Sequence, residues 1–201
     1  MASNVEIKAR VQDLARIRAK VVALAPAPGE IIDQTDTFFV VPQGRLKVRA
    51  CSDGSGELIS YQRSDQPGPK ESVYTRVVCQ DAPALVGALS RVLVVRGDVT
   101  KRREVFLVGR TRVHLDQVER LGCFVELEVV LSPGERVEDG HREAQALLRS
   151  LDIPSAALVA EAYIDLLDAT DASVTASARS IIANPSRSSA SVIDSGGFVK
   201  K

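Results

Sequence analysis

Short stretches in which polar and apolar side chains alternate recur along the first 168 residues. Asn4 to Val11 carries polar residues at its even positions and apolar or small residues at its odd positions, and Arg45 to Ala50 repeats the alternation. The same pattern surrounds His114 and runs from Val125 to Val129. Because successive side chains of a strand point to opposite faces, this period of two predicts strands with one polar face each.

Four other segments carry the spacing of three to four residues that is typical of amphipathic helices. The predicted helices cover about 13–24, 82–94, 138–151 and 154–167. Asp13 and Asp81 stand where N-caps would begin the first two of them. A few helices among many strands predict an α+β fold that is mainly β.

The composition changes sharply at Thr170. Eight of the 32 residues from there to the end of the chain are Ser, and a pair of glycines follows at Gly196-Gly197. Such a segment has too few large apolar residues to bury a core. We therefore expect one folded domain at 1–168 and a disordered Ser/Ala-rich tail at 169–201, the alternative being a short docked segment at 180–183.

Charge and cysteine content indicate which binding partners and which cellular compartment to expect. The chain has 26 basic and 26 acidic side chains, which predicts that it binds neither nucleic acid nor a membrane surface. Its three cysteines form no disulfide or zinc pattern, and the N-terminus lacks an apolar leader segment. These features predict a cytoplasmic protein, and they leave open whether it is a monomer or a homodimer.

Ionisable residues two positions apart recur on several of the predicted strands. The sets are Glu6/Lys8, Arg45/Lys47/Arg49, Lys101/Arg103, Arg112/His114/Asp116 and Glu126/Glu128. Each set points to one face of its strand. One interpretation is that these faces are simply solvated. Against it, basic residues cluster on some strands and acidic residues on others, whereas a solvated face more often mixes the two signs.

The alternative is a sheet that closes with the charged face inward. Arg and Lys side chains in such a tunnel would bind the oxygens of a triphosphate, and the carboxylates would hold a divalent cation, Mg²⁺ or Mn²⁺. Because an empty tunnel of this kind suffers repulsion between its cations, its lining indicates a site for an anionic small molecule.

Several motifs in this chain resemble those of the CYTH, or triphosphate tunnel metalloenzyme, superfamily. Residues 4–8, NVEIK, resemble the ExExK signature that opens these domains, and residues 34–39, QTDTFF, resemble the second-strand motif. Residues 44–49, GRLKVR, and 101–103, KRR, resemble two basic strands of the family. Residues 112–128 resemble the HLDxVxGLGxFxExE block of class IV adenylate cyclases.

This resemblance implies a closed or nearly closed antiparallel eight-stranded barrel with helices packed outside, and it implies roles for individual residues. The implied metal ligands are Glu6, Glu126 and Glu128, with Asp116 as a further candidate. The implied triphosphate contacts are Lys8, Lys47, Arg49, Arg63, Lys101, Arg103 and Arg112, with Arg45 as a contact at the rim. Lys8 and His114 are the candidate catalytic residues.

The chain departs from the family pattern at two places. Asn4 replaces the first Glu of ExExK, which removes one carboxylate from the metal site. Arg63 stands where the family has a Lys-Gly-Pro sequence, so it is either a site residue or a surface arginine at a loop edge. We expect Lys70 to be exposed, although a position at the tunnel mouth is the alternative.

The two histidines have different expected roles. His114 either takes part in proton transfer or positions Asp116 or a phosphate, and His141 is expected on a helix surface. For the whole protein, the resemblance implies a metal-dependent triphosphatase acting on tripolyphosphate, thiamine triphosphate or a nucleoside triphosphate. A class IV adenylate cyclase is the alternative, and a triphosphate-binding module with weak catalysis is a third interpretation.

Overall fold

The computed structural model describes residues 2–63 and 68–183. Within the described residues, those up to Leu167 form one compact unit, and residues 168–183 belong to a second. The elements in the described residues are β1 Ala2–Val11, α1 Leu14–Leu24, β2 Glu30–Phe39, β3 Arg45–Cys51, β4 Gly56–Arg63, β5 Lys70–Cys79, α2 Ala82–Leu89, β6 Val95–Val108, β7 Thr111–Val118, β8 Gly122–Val130, α3 Val137–Ser150, a 3-10 helix Ser155–Ala157, β9 Leu158–Val159 and α4 Tyr163–Ala183.

The strands form a closed antiparallel barrel. Their order around it is β5-β4-β3-β2-β6-β7-β8-β1, and β1 pairs back to β5 with Glu6 opposite Lys70. Beyond that pairing, the short strand β9 continues along the same side of β1, with Val159 opposite Lys8. The described chain therefore forms an eight-stranded barrel with helices outside it, which confirms the fold class predicted from the sequence.

The main hydrophobic core lies outside the barrel. On β1 the odd residues Val5, Ile7 and Ala9 are at most 2% exposed and face outward, while the even residues face the lumen. The outer faces of β6, β7 and β8 join them, and α1 and α3 cover this surface through Ile17, Val21, Ala144 and Leu148. Because the lumen is polar, the apolar area that stabilises the fold is buried between the barrel wall and these helices.

Two smaller clusters complete the packing. One places α2 against β2 and β3 around Phe39, Val48 and Ala82. The other places the start of α4 against Phe38 and Phe124. The rings of Phe124 and Tyr163 meet edge to face at a centroid distance of 4.9 Å.

The predicted N-caps of the first two helices are present. Asp13 accepts a hydrogen bond from Arg16 N at 2.9 Å, and Asp81 accepts one from Ala84 N at 2.9 Å. Helix α2 is shorter than predicted, since it ends at Leu89 and not near residue 94. The β-branched residues that follow favour an extended chain, and Val94 O already accepts a hydrogen bond from Val40 N at 2.9 Å.

The prediction of a helix at 154–167 is wrong in its first half. Residues 155–157 form a 3-10 turn, and Leu158–Val159 pair with β1, because this side of β1 offers free backbone groups beyond its pairing with β5. Helix α4 starts at Tyr163, where Asp165 accepts a hydrogen bond from Ala162 N at 3.0 Å.

Helix α4 continues to Ala183, so the chain is helical over 169–183, where a disordered tail was expected. The rest of the expected tail, 184–201, lies outside the described residues. Among the helices of the described chain, none has both the length and the apolar composition that a membrane span requires.

Gly56 on β4 lies against the backbone of Arg49 on β3, and a substitution tests this contact in the barrel wall. A Cβ at this position would lie 1.9 Å from Arg49 O, so we expect Gly56→Ala to lower the free energy of unfolding by about 1–3 kcal/mol or more. Gly87 on α2 has no heavy atom within 4 Å of such a Cβ, and Gly87→Ala should instead stabilise by up to about 1 kcal/mol. Urea denaturation of both variants measures the contrast. Equal stability of the Gly56→Ala variant and the wild type would contradict the described contact between β3 and β4.

Candidate functional site

The barrel encloses a cavity of about 490 Å³ lined by charged side chains from all eight strands. Its basic lining residues are Lys8, Lys47, Arg49, Arg63, Arg76, Lys101, Arg103 and Arg112, and its acidic ones are Glu6, Glu30, Asp36, Glu57, Glu126 and Glu128. The inward phase of each strand places these side chains in the lumen, because alternate residues share a face. The hypothesis of an inward-facing charged tunnel therefore agrees with the structure, and the interpretation as solvated outer faces does not.

Two predicted site residues lie outside this lining. Arg45 donates to Asp165 Oδ2 at 3.1 Å, close to the start of α4. Asp116, expected as a metal ligand, is fully buried behind Arg103 and not exposed to the cavity. Its oxygens are already bonded to side chains, which separates it from Glu126 and Glu128.

Asp116 is the anchor of a buried ion-pair network. Arg103 donates to both of its oxygens, at 2.6 and 2.5 Å, and Tyr163 donates its hydroxyl at 3.0 Å. Lys101 Nζ lies 3.4 Å from Oδ2. Burial opposes ionisation of this carboxyl, but the charges of Arg103 and Lys101 prevail and lower the pKa of Asp116 to about 2. Asp116 therefore positions two cavity cations.

Asp36 on β2, the strand next to β6, plays the same part for a second pair of cations. It accepts from Lys47 at 2.7 Å and from Arg49 at 2.8 and 3.1 Å. Although burial raises the pKa of this carboxyl, the neighbouring Arg49 and Lys47 hold it well below its ordinary value. The sequence resemblance included Asp36 in a motif but gave it no role, since nothing in the alternation of β2 distinguishes an anchoring carboxylate from a surface one.

The lysines of the cavity are held in a desolvated setting. Burial lowers the pKa of Lys101 to about 8, with the charge of Arg103 acting in the same direction. Burial also lowers the pKa of Lys8, which lies 3.3 Å from Glu126 Oε1 and 3.9 Å from the centre of the Tyr163 ring. Ammonium groups with so little water around them gain much from an anionic ligand.

One end of the cavity is closed by the segment that leads into α4. Lys8 Nζ donates to Glu161 O at 3.0 Å, and Lys70 Nζ donates to Ala160 O. The expectation that Lys70 is exposed is therefore wrong: only 5% of the residue is accessible, because β1 and β5 meet there and the segment covers it. Sequence reasoning also missed Tyr163 as a cavity residue: its ring packs in the core cluster with Phe124 and also lines the cavity.

Arg63 belongs to the site and not to a loop edge. Its side chain is 6% exposed, and it donates to Glu6 Oε1 at 2.5 Å. Glu6 is consequently neutralised by an arginine next to it on the barrel wall. Asn4, two residues before Glu6 on the same face of β1, is 3% exposed, and its Oδ1 has no hydrogen-bond partner among the described residues.

A group of metal-ligand type is formed by His114, Glu126 and Glu128. One ligand atom from each lies within 4.8 Å of the others. Burial is the main cause that lowers the pKa of His114, and the charge of Arg103 lowers it further. The ring is therefore neutral at physiological pH. His114 Nδ1 is buried without a hydrogen-bond partner in the described chain. Two carboxylates and one unpartnered imidazole nitrogen fit a divalent cation.

His141 lies on α3 and is half-buried, so it is less exposed than the sequence suggested. It is not part of the cavity lining.

Removal of the buried anchor should be costly and should change the pH dependence of stability. Asp116→Asn removes a buried counter-ion from Arg103 and Lys101 and leaves Arg103 paired with Glu126, and we expect it to lower the free energy of unfolding at pH 7 by about 3–5 kcal/mol. Since the folded pKa of Asp116 is about 2 against an ordinary 3.8, its contribution is complete above pH 4 and is lost towards pH 2. The difference between wild type and variant in urea denaturation should therefore shrink over that interval.

The matched control is Asp33→Asn on the outer face of β2. Asp33 is 54% exposed and lies 3.3 Å from Arg102, so its removal should change stability by less than about 1 kcal/mol at either pH. A loss of stability at pH 7 that is the same for both variants would mean that Asp116 is not the anchor described above.

Comparison with known proteins agrees with this geometry. A curated adenylate cyclase, CyaB of Aeromonas hydrophila, is 27% identical over 177 residues, which cover 82% of this chain and 88% of that protein. The structure of the PH1012 protein of Pyrococcus horikoshii OT3 superposes with a TM-score of 0.73 at 25% identity and covers 81% of this chain and 98% of that one. HpAC1 from Hippeastrum, an adenylyl cyclase candidate in which triphosphatase activity is dominant, superposes with a TM-score of 0.61 at 14% identity, over 85% of this chain and 96% of that one.

The family of this chain is identified by a sequence match that spans nearly all of the barrel. A family model of the CYTH domain matches residues 2–163, from the first strand to the start of α4. This range contains every residue of the cavity lining, and it confirms the resemblance that the sequence motifs indicated. The chain belongs to the CYTH domain family.

Proposed function

We propose that this protein is a divalent-metal-dependent phosphohydrolase that acts on an inorganic or organic triphosphate. The observation that carries the proposal is a closed barrel whose buried cations converge on one cavity. Lys101 and Arg103 on β6 and Lys47 and Arg49 on β3 lie on the two strands that flank β2, and each pair is held by its own buried aspartate. Cations fixed in advance in a desolvated cavity are suited to a highly charged anion.

The charge of the lining also suits such a ligand. Eight basic residues face six acidic ones among the described lining residues, which leaves an excess of two positive charges. One bound divalent cation would raise the excess to four, close to the roughly four negative charges of an organic triphosphate.

The residues have separable roles in the proposed reaction. Lys47, Arg49 and Lys101 would bind the non-bridging oxygens and hold the phosphate chain in line for attack by water. Lys8, at the closed end of the cavity, would stabilise charge that develops during transfer. Glu126, Glu128 and His114 would hold the cation, which supplies charge neutralisation and orientation when bound.

A class IV adenylate cyclase is the second candidate, and the identity to the Aeromonas hydrophila CyaB supports it. In that reaction the ribose 3′-hydroxyl attacks the α-phosphorus, and pyrophosphate leaves. We place the hydrolase first because an attacking water needs no pocket for a nucleobase. A ribose 3′-hydroxyl, in contrast, must be aligned by contacts to the nucleoside. HpAC1 shows that triphosphatase activity can dominate on this fold.

The reaction products separate these candidates. The purified protein would be incubated with ATP, tripolyphosphate or thiamine triphosphate in the presence of Mg²⁺ or Mn²⁺, and the products resolved by phosphorus NMR. Orthophosphate release supports the hydrolase, and pyrophosphate together with cyclic AMP supports the cyclase. Tight binding without turnover would leave a binding module, which the loss of a carboxylate at Asn4 favours. No measurable affinity for any triphosphate would overturn the site assignment.

Substitution of one cavity cation tests the binding role without removing an anchor. In Lys47→Ala, Asp36 keeps both hydrogen bonds from Arg49, so we expect the fold to be retained. Loss of one charge-assisted contact of about 1.5–3 kcal/mol should weaken tripolyphosphate binding by roughly 10–100-fold in calorimetry.

The control for this change is Arg102→Ala. Arg102 lies between Lys101 and Arg103 in the sequence but faces outward, with 56% of its side chain exposed. Its substitution should leave the dissociation constant within about twofold of wild type. Equal losses in the two variants would point to a general effect of surface charge and against a specific contact from Lys47.

A further inference from the structure

The imidazole of His114 is placed unusually for a buried histidine. The residue is 4% exposed, and its Nδ1 has no hydrogen-bond partner in the described residues. Buried polar atoms are nearly always paired, and leaving one unpaired costs about 1–3 kcal/mol. An exception in the middle of a charged cavity needs an explanation.

The atoms that face this nitrogen are carboxylate oxygens. His114 Nδ1 lies 3.9 Å from Glu126 Oε2 and 3.8 Å from Glu128 Oε1. The strand register fixes this arrangement, because His114 stands directly opposite Glu126 on the neighbouring strand and Glu128 is the next inward residue.

These separations are too long for hydrogen bonds, which from Nδ1 would need about 2.7–3.2 Å. Two neighbouring ligand atoms that are each about 2.1 Å from a shared octahedral cation lie about 3.0 Å apart, so the three atoms must move closer together to share an ion. Small rotations of two glutamate side chains would bring the three atoms onto one ion.

The two carboxylates of this group are themselves held by cations. Arg112 donates to Glu128 Oε2 at 2.9 and 2.7 Å, which fixes that carboxylate through the oxygen that does not face His114. Glu126 Oε2 accepts from Arg103 at 2.5 Å, and Glu126 Oε1 lies 3.3 Å from Lys8 Nζ, so a bound metal would compete with these cations.

The N-terminal strand offers less to an ion. Glu6, the other carboxylate expected to bind the metal, is neutralised by Arg63, and Asn4 contributes no charge. In the group of metal-ligand type, His114 Nδ1 is the donor that has no partner among the described residues.

We infer that His114 Nδ1 is itself a ligand of the divalent cation, together with Glu126 and Glu128, and that this nitrogen makes the site select Mn²⁺ over Mg²⁺. The inference rests on the proposed function in one respect: the cation would bind in the same barrel cavity as the triphosphate. Mg²⁺ strongly prefers oxygen ligands, whereas an imidazole nitrogen suits first-row transition ions. A ligating Nδ1 is not available to accept a proton, so the catalytic role expected for His114 would be replaced by metal binding.

Pulsed electron paramagnetic resonance of bound Mn²⁺ tests the ligand directly. The chain has two histidines, His114 and His141, so an untagged protein offers only these imidazoles. We expect a ¹⁴N coupling typical of coordinated imidazole in the wild type and in His141→Gln, and its loss in His114→Gln. Absence of the coupling in Mn²⁺-loaded wild type, or its persistence in His114→Gln, would overturn the inference.

Metal affinities give a second readout. Dissociation constants for Mn²⁺ and Mg²⁺ would be measured by titration and by competition. His114→Gln should weaken Mn²⁺ binding at least about tenfold while changing Mg²⁺ binding much less, whereas His141→Gln should change neither. Circular dichroism verifies folding, with His114→Asn as a second variant should the Gln side chain not fit. An unchanged ratio of the two constants in a folded variant would contradict the selectivity.

The outcomes also distinguish this inference from the proposed function. Turnover of a triphosphate without imidazole coupling would reject the ligand role and keep the hydrolase. Imidazole coupling without affinity for any triphosphate would keep the ligand role and reject the hydrolase.

Discussion

Repulsion between cations inside the barrel is the constraint on which the rest of the structure depends. Lysine and arginine side chains from several strands share one small cavity, and little water screens them from each other. Two buried aspartates meet this constraint: Asp36 holds Lys47 and Arg49, and Asp116 holds Lys101 and Arg103. Both carboxylates stay ionised because their basic neighbours outweigh the effect of burial on the pKa. The result is a cavity whose cations are fixed before a ligand arrives.

A charged lumen also explains where the helices pack. Most barrels of this size fill their interior with side chains, but here the interior must remain polar and open. The apolar residues of β1, such as Val5 and Ile7, therefore face outward and are buried by α1 and α3. The end near Phe124 and Tyr163 is packed with apolar side chains, and there the start of α4 closes the cavity.

The N-terminal departure from the family signature is accompanied by changes around it. Asn4 removes a carboxylate, and Arg63 neutralises Glu6, so β1 supplies little negative charge to a cation. The carboxylates of β8 and the imidazole of β7 lie together on the adjacent wall. The proposed cation would thus depend on β7 and β8 more than the ExExK signature alone would suggest.

The sequence by itself determined several of the strands, the caps of α1 and α2, and which ionisable residues share a face of their strand, because each follows from a local rule of spacing or capping. Tertiary structure alone decided what depends on distant partners. Asp116 is paired with Arg103, Lys70 is buried against Ala160, and the segment before α4 pairs with β1 in place of a helical turn. Each of these outcomes arises from a residue more than ten positions away that local periodicity does not encode.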